Sequence, residues 1–481
     1  MNRFSIKEKN DLLKEYYTDR KMHITALIVF SAIVLASAIL IIVLNATNSK
    51  DVIEEELLRG FVDPNSITAK YNIEDTASKI LLFNNTYSPL IHTLRIDGNK
   101  VDVVNEYVFD TPGEHTVKMS FKRPLKYMDK FFIDCINLTA VNLTKLTSDK
   151  IRTSRDTFHG CVQLSEVDFT NFDSSSLTNT THMFYGCSSL NSLDLYGFSG
   201  SELQDISGMF YQCTNLSYVN FHAMITRYVV NMSKLFYDCI AIEEIDLFFM
   251  RTNNVIDMSN MFYNCSSLIS VIQNFNTHNV IHMYGMFDGC KSLPNITISN
   301  FDTSNVEDMY FMFANCYSLT SIDINHFNTE NVIDMFGMFK NCLSLESVNI
   351  SYFNISNVVD MGNMFGNCTS LKEVSLDELS PDNLVYMTAM FENCVSLESL
   401  NFTNFLNGTT ADNVEDMSYL FHGCSNLSYI DLSSFNTSKV EIYEYIFNGL
   451  PEKGKFIYNS QIFSKDLLNL LPEGWIKEKI D

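Results

Sequence analysis

The sequence predicts an α/β solenoid, a stack of about 13 coils of 26 residues, each a short helix followed by a short strand. Three observations predict it. Cysteines stand at 135, 161, 187, 213, 239, 265, 290, 316, 342, 368, 394 and 424, spaced by 26 except for one interval of 25 and a last of 30. A Phe precedes each by three residues, from Phe132 to Phe421, and a Leu or Ile follows by three, from Leu138 to Leu427. Within each coil the apolar period also switches. Phe447 and Leu450 continue the ruler with Leu in the place of Cys, the atypical terminal coil expected where a stack stops.

The helix is read from Met335, Met338, Phe339 and Cys342, which occupy i, i+3, i+4 and i+7, one face of a short helix. Asp334 stands just before it, where a side-chain oxygen can accept from free backbone N–H groups; Asp257, Asp308, Asp360 and Asp416 repeat the placement. After the cysteine the period falls to two. Val348 and Ile350 alternate with Ser347, Asn349 and Ser351, the pattern of a strand with one face buried. Phe353, like Phe301, Phe327, Phe405 and Phe435, then starts the turn back. Neither element can bury its apolar face alone, and stacking buries both.

The strand half reads L-x-x-[VIL]-x-[LI]-x-x-F, as in LTSIDINHF, and FDTSNVEDMYFMFANCYSLTSIDI (Phe301 to Ile324) represents the whole coil. These residues resemble the BspA-like leucine-rich-repeat surface proteins over about Phe131 to Leu450. The resemblance implies a leucine-rich-repeat-like, right-handed stack and a cell-surface binding or adhesion role with no catalytic site. Bacterial members often carry a lipidated cysteine or a wall-sorting signal where this chain has an apolar N-terminal span.

With 481 residues, 46% of them hydrophobic, the chain can bury a large core. Its net charge is −24; residues 1–23 contribute +2, which leaves −26 on the remainder and argues against nucleic acid or an anionic membrane face as a partner. Residues 24–44, ITALIVFSAIVLASAILIIVL, carry no charge and are long enough to cross a bilayer as one helix. A cleaved signal peptide is the competing reading, but its apolar core is shorter and ends in a small-residue site. Arg20 and Lys21 precede the span while Asp51, Glu54, Glu55 and Glu56 follow it, which places the tail in the cytoplasm and the repeats outside.

The organisation read from these features is a cytoplasmic tail (1–23), a transmembrane helix (24–44), a spacer without clear period (45–80), a small antiparallel β unit (81–130), the solenoid (131–450) and a C-terminal cap (451–481). Asp97-Gly98 and Pro112-Gly113 are the turn pairs of the β unit, which is expected to cover the first coil and protect an open sheet edge. Trp475, the only tryptophan, is placed on the cap. One residue is missing from the ruler near Ser270 to Asn279 and four are added near Phe405 to Asn413, both beside the turn back.

No enzyme motif, cofactor loop or metal site is legible. There is no Cys-x-x-Cys pair, and His278 and His282, four apart, lack the glutamate of a zinc-protease helix because Asn279 stands there. The cysteines recur at one inward position and are expected as a buried, reduced ladder, since equivalent Cβ vectors in adjacent coils run parallel. Glycosylation sequons include those at Asn45, Asn84, Asn407 and Asn436.

The candidate ligand face lies on the strands, whose outward positions recur about every 4.8 Å from coil to coil. Seven residues after the cysteine the column is polar (Asn142, Asp168, Asp194, Asn220, Asp246, Asp323, Asn349, Asn401, Asp431), which a solvated concave face also explains. Nine residues after it, where Ser, Thr or Asn is usual, three successive coils carry Tyr196, His222 and Phe248, with Tyr218 on the same face. Exposed aromatics beside Asp194 and Asp246 have the composition of a binding hot spot, unless the N-terminal unit folds back over them. The partners expected are an extracellular protein or glycan and, through one helix, the membrane. A structural surface coat or a non-catalytic receptor subunit is the alternative.

Overall fold

The computed structural model describes residues 65–376, 379, 381–402 and 413–480. The transmembrane span expected at 24–44, the tail before it, the sequons at Asn45 and Asn407 and the four added residues lie outside them. Among the described residues no helix is long and apolar enough to cross a membrane.

The stack is a β-solenoid, and the expected short helix is replaced in every described coil by a run of turns. The coil from Asp334 to Cys342 shows why. The N–H groups of Met338, Lys340 and Cys342 close tight turns onto the carbonyls of Met335, Gly337 and Phe339, at 3.2, 2.9 and 3.1 Å. The alternate N–H groups, of Met335, Gly337, Phe339 and Asn341, reach across to Asp360, Gly362, Met364 and Gly366 of the next coil, at 2.8–3.0 Å. A helix would turn its later donors, such as those of Phe339 and Asn341, onto its own carbonyls and withdraw them from the neighbouring coil. Asp334 does cap, but it caps a turn: its Oδ1 accepts from the Phe336 N–H at 2.8 Å.

Such a path needs a left-handed residue twice per coil, five residues and one residue before the cysteine. Gly337 and Asn341 are both at φ +61°. The position before the cysteine is Asn, Asp or Gly in twelve of the thirteen coils, Gln212 being the exception, and these residues pay least for positive φ. The earlier position is less selective and accepts Phe311, Ala389 and Tyr419. Two successive four-residue turns place Met335, Met338, Phe339 and Cys342 inward at the same spacing a helix would.

The core is a set of columns. The Phe rings three residues before the cysteine stack from Phe132 to Phe447 with centroids 5.2–6.2 Å apart and planes within 18°. The cysteines are buried and free. From Cys161 to Cys424 each thiol donates to the Phe carbonyl of the preceding coil, at 3.0–3.3 Å. The Phe339 carbonyl thus accepts both the Cys342 N–H and the Cys368 thiol. Burial holds these thiols protonated, that of Cys368 pushed up to about 12. Twelve single-residue parallel pairings, from Tyr127–Thr153 to Asp416–Ile442, tie thirteen successive coils together.

The N-terminal strands are β1 (Ser66–Ile73), β2 (Ile80–Leu81), β3 (Ile91–Ile96), β4 (Asn99–Val101), β5 (Glu106–Tyr107) and β6 (Gly113–Phe121). The solenoid strands are β7 (Leu138–Asn142), β8 (Glu166–Asp168), β9 (Ser192–Asp194), β10 (Tyr218–Asn220), β11 (Glu244–Leu247), β12 (Ser270–Gln273), β13 (Ser347–Asn349), β14 (Glu373–Ser375), β15 (Ser399–Asn401), β16 (Tyr429–Asp431), β17 (Lys453–Asn459) and β18 (Gly474–Ile480). The first sheet runs β4-β3-β6-β1-β7-β8, with β1 antiparallel to both β6 and β7. The strand paired with the first coil therefore comes from the stretch read as spacer, and its alternate residues Ile67, Ala69, Tyr71 and Ile73 are buried in the core. Along the solenoid the strands pair in parallel in short groups, β7 with β8, β9 with β10, β11 with β12, β13 with β14 and β15 with β16. Between β12 and β13 two coils carry no strand; in the first, Pro294 brings no N–H to the position that Ile269 and Ser217 use to reach the previous coil. At the far end β16, β17 and β18 are parallel, helix α1 (Lys465–Leu468) lies between the last two, and Trp475 is buried with its Nε1 donating to the Pro451 carbonyl at 2.8 Å.

Candidate ligand-binding face

The polar column seven residues after the cysteine has a local cause. Asn142, Asp168, Asp194, Asn220, Asp246, Asp323, Asn349 and Asp431 each accept, through Oδ1, the N–H two residues ahead, at 2.9–3.2 Å. Each closes a turn, at the end of a strand in every case but Asp323, which is why the short Asx side chains recur there. In the coil one residue short, Gln273 takes over from one position further on, its Oε1 accepting the Phe275 N–H at 2.7 Å. Asp194 and Asp246 are therefore first of all turn residues, each with one oxygen committed to its own backbone.

The aromatic column is on the surface. Tyr196 is 75% exposed, Tyr218 56% and Phe248 49%, so the N-terminal β unit does not cover them. β9 and β10 bring Tyr218 beside Ser192 and Asn220 beside Asp194, with Asn220 Nδ2 donating to Asp194 Oδ1 at 2.9 Å. His222 lies with Nε2 3.5 Å from Asp246 Oδ2. It also meets Phe249 edge to face at 5.3 Å, and Phe248 meets Phe249 the same way at 5.4 Å. The structure thus joins His222 and Phe248 through Phe249, which is 61% exposed and is not among the residues singled out from the sequence, while Asp246 joins through His222. The adjacent pair Phe248-Phe249 was the signal for it, since an apolar residue beside an outward one breaks the strand alternation. Tyr196 and Tyr218 sit on the same face but stack on no ring among the described residues.

Beyond Phe249 a shallow groove continues past Arg251 and Asn276 to His278 and Asp302. His278 and His282 do not converge on one point. Their Nδ1 atoms face separate carboxylates, Asp302 at 2.8 Å and Asp308 at 2.7 Å, and the Asp308 hydrogen bond raises the pKa of His282. Among the described residues no three His, Cys, Asp or Glu side chains form a metal-binding group.

Compared with known proteins, the chain matches no curated protein. A leucine-rich-repeat protein from Eubacterium ventriosum aligns at 15% identity over 60% of this chain and 83% of its own, with a TM-score of 0.25. A Leptospira interrogans leucine-rich-repeat protein aligns at 13% identity over 71% of this chain and 90% of its own, with a TM-score of 0.22. Similarity at this level leaves the fold resting on the coils themselves. A family model described as "Mycoplasma protein of unknown function, DUF285" matches residues 126–248, 230–347, 318–409 and 398–459. Those matches run through the whole Phe and Cys ladder and cover more than half of the sequence, so the chain belongs to the DUF285 family.

Proposed function

We propose that this is a non-catalytic surface protein of the BspA-like leucine-rich-repeat type, anchored by residues 24–44, whose solenoid recognises an extracellular protein or glycan in adhesion or recognition. The observation that carries the reading is the run of exposed rings at Tyr196, Tyr218, Phe248 and Phe249, of which Tyr196 and Phe248 stand on a column that in most other coils holds Ser, Thr or Asn. Large open aromatics cost solubility unless a partner covers them, and they supply contact area at low entropy cost. Full-length protein carrying Tyr196→Ala with Phe248→Ala is expected to bind intact partner-cell surfaces about tenfold less than wild type, with unchanged thermal stability. Unchanged binding would rule the face out. The topology is tested separately: protease outside intact cells should digest the chain beyond residue 45 and spare a tag at Met1, and an exposed tag would reverse it.

A further inference from the structure

We infer that the partner segment bound by this face is cationic, an Arg- or Lys-rich stretch of a protein, an inference that rests on the reading of the face as a ligand site. In the four coils headed by Cys161, Cys187, Cys213 and Cys239, strand positions four to nine residues after the cysteine hold Glu166, Asp168, Asp194, Glu243, Glu244 and Asp246, and no Lys or Arg. Glu166, Asp194, Glu243, Glu244 and Asp246 are exposed. Their charge is only partly met within the chain. Asp194 and Asp246 use Oδ1 in their turns, and Asp246 Oδ2 has His222 Nε2 at 3.5 Å. Further along, the same columns still carry Glu346, Glu373 and Glu398, but there Lys372 is interposed and pairs with Glu346 at 2.9 Å, and Ser347, Asn349 and Ser351 are uncharged.

The rings among these carboxylates are placed to receive a cation. Tyr185, Tyr211, Tyr237 and Tyr263, on the turn side of nearby coils, stack face to face at 4.3–4.7 Å and cover one another. Tyr196 and Tyr218 instead stack on no ring among the described residues and are largely exposed, and Phe248 and Phe249 stay about half exposed or more despite their edge-to-face contact. A guanidinium stacks on such a ring while its N–H groups reach adjacent carboxylates. The chain makes this contact itself elsewhere in the coil headed by Cys213, where the Arg227 guanidinium sits 4.6 Å from the centroid of the Tyr228 ring. A neutral glycan would use the rings but would leave the carboxylates without counter-charge.

The test uses full-length protein in a non-ionic detergent and fluorescence anisotropy with three labelled probes: an Arg-Gly repeat decapeptide, its Glu-Gly counterpart and a neutral chitin hexasaccharide. The Arg-Gly peptide is expected to bind at least about tenfold more tightly than the other two, and more weakly as salt rises. Tyr196→Ala with Phe248→Ala, and separately Glu166→Lys with Glu244→Lys, should each cost it about tenfold or more in affinity. Glu373→Lys with Glu398→Lys, the same charge change on equivalent columns of later coils, should leave the affinity within about twofold. An equal loss in that control would reduce the effect to net charge and overturn the inference. Binding of the hexasaccharide that depends on Tyr196 and Phe248, without binding of the Arg-Gly peptide, would overturn the cationic partner and keep the ligand face. If no probe responds to the face variants, both readings fall.

Discussion

The turn side and the strand face of this solenoid are built from the same 26 residues, yet they repeat to different degrees. On the turn side every coil from Cys135 to Cys424 returns the same Phe, the same Cys and the same left-handed position, because each residue there contacts its own copy in the next coil. A change at one level would strand the partner atoms above and below. On the strand face the inward positions repeat while the outward ones drift, from Glu166 and Tyr196 to Ser347 and Lys372. Apart from the Asn and Asp column that closes the turns, outward side chains meet mostly water and are free to carry recognition. Repetition marks what holds the stack together, and departure from it marks what the stack is for.

The largest effect that would break this contrast is in the Phe column. Phe339→Ala empties a site stacked at 5.5 Å on Phe313 and 5.8 Å on Phe365, where the adjacent coils cannot collapse inward. A loss of about 3–5 kcal/mol is expected in denaturant unfolding. Lys340→Ala, next in the chain but only half-buried, should fall within about 0.5 kcal/mol, and equal losses would mean the inward face is wrong.

Next in size is a pH effect at the foot of the asparagine ladder. Asn393, Asn367 and Asn341 each donate Nδ2 to the side-chain oxygen one coil back, and Asn315 ends the run on Asp288 at 2.6 Å. Burial raises the Asp288 carboxyl from its ordinary 3.8 to about 6, against the opposing hydrogen bond from Asn315. The folded state therefore holds this proton more tightly than the unfolded chain. Its stabilising contribution is complete below about pH 4 and is lost as pH rises through 6, at most about 3 kcal/mol. Asp288→Asn should remove that slope and raise the melting temperature at pH 7.5. An unchanged slope between pH 4 and 7 would show the carboxyl to be ordinary.

A smaller loss, about 1–2 kcal/mol, is expected for Asn341→Ala, which removes the short polar side chain that tolerates φ +61° and leaves Asn367 Nδ2 without its acceptor. Asn341→Gly should lose less, since only the amide ladder is broken. Should the two cost the same, the ladder and not the backbone governs this position. The smallest effect belongs to the strand face, where Tyr196→Ala with Phe248→Ala is expected to shift stability by less than about 0.5 kcal/mol. A loss approaching that of Phe339→Ala would make these rings part of the core.

Much of the architecture was legible because a 26-residue period leaves few alternatives: residues that recur at one phase stack in one column. Phe339 and Cys342 were readable as inward, and Tyr196 and Phe248 as outward, from the period and the two-residue alternation alone. The helix was misread for a definable reason. Met335, Met338, Phe339 and Cys342 fall on one side of a helix and equally on one side of two four-residue turns. The discriminating residue was Asn341, since an Asn, Asp or Gly at one fixed phase marks a left-handed backbone that no helix interior contains. The column of Asp194 and Asp246 was visible, but its turn-closing role depends on an N–H two residues away and leaves no mark that separates it from a solvated surface.

By itself, then, the sequence determined the coil length, the stacking and which side chains are buried, because these follow from periodicity and the removal of apolar surface from water. Only the tertiary structure decided between helix and turns, since that choice depends on whether alternate N–H groups find carbonyls within a coil or in the next one. It likewise decided that β1 covers the first coil and that Phe249 joins the aromatic face. Both are contacts between residues whose separation along the chain bears no relation to their distance in space.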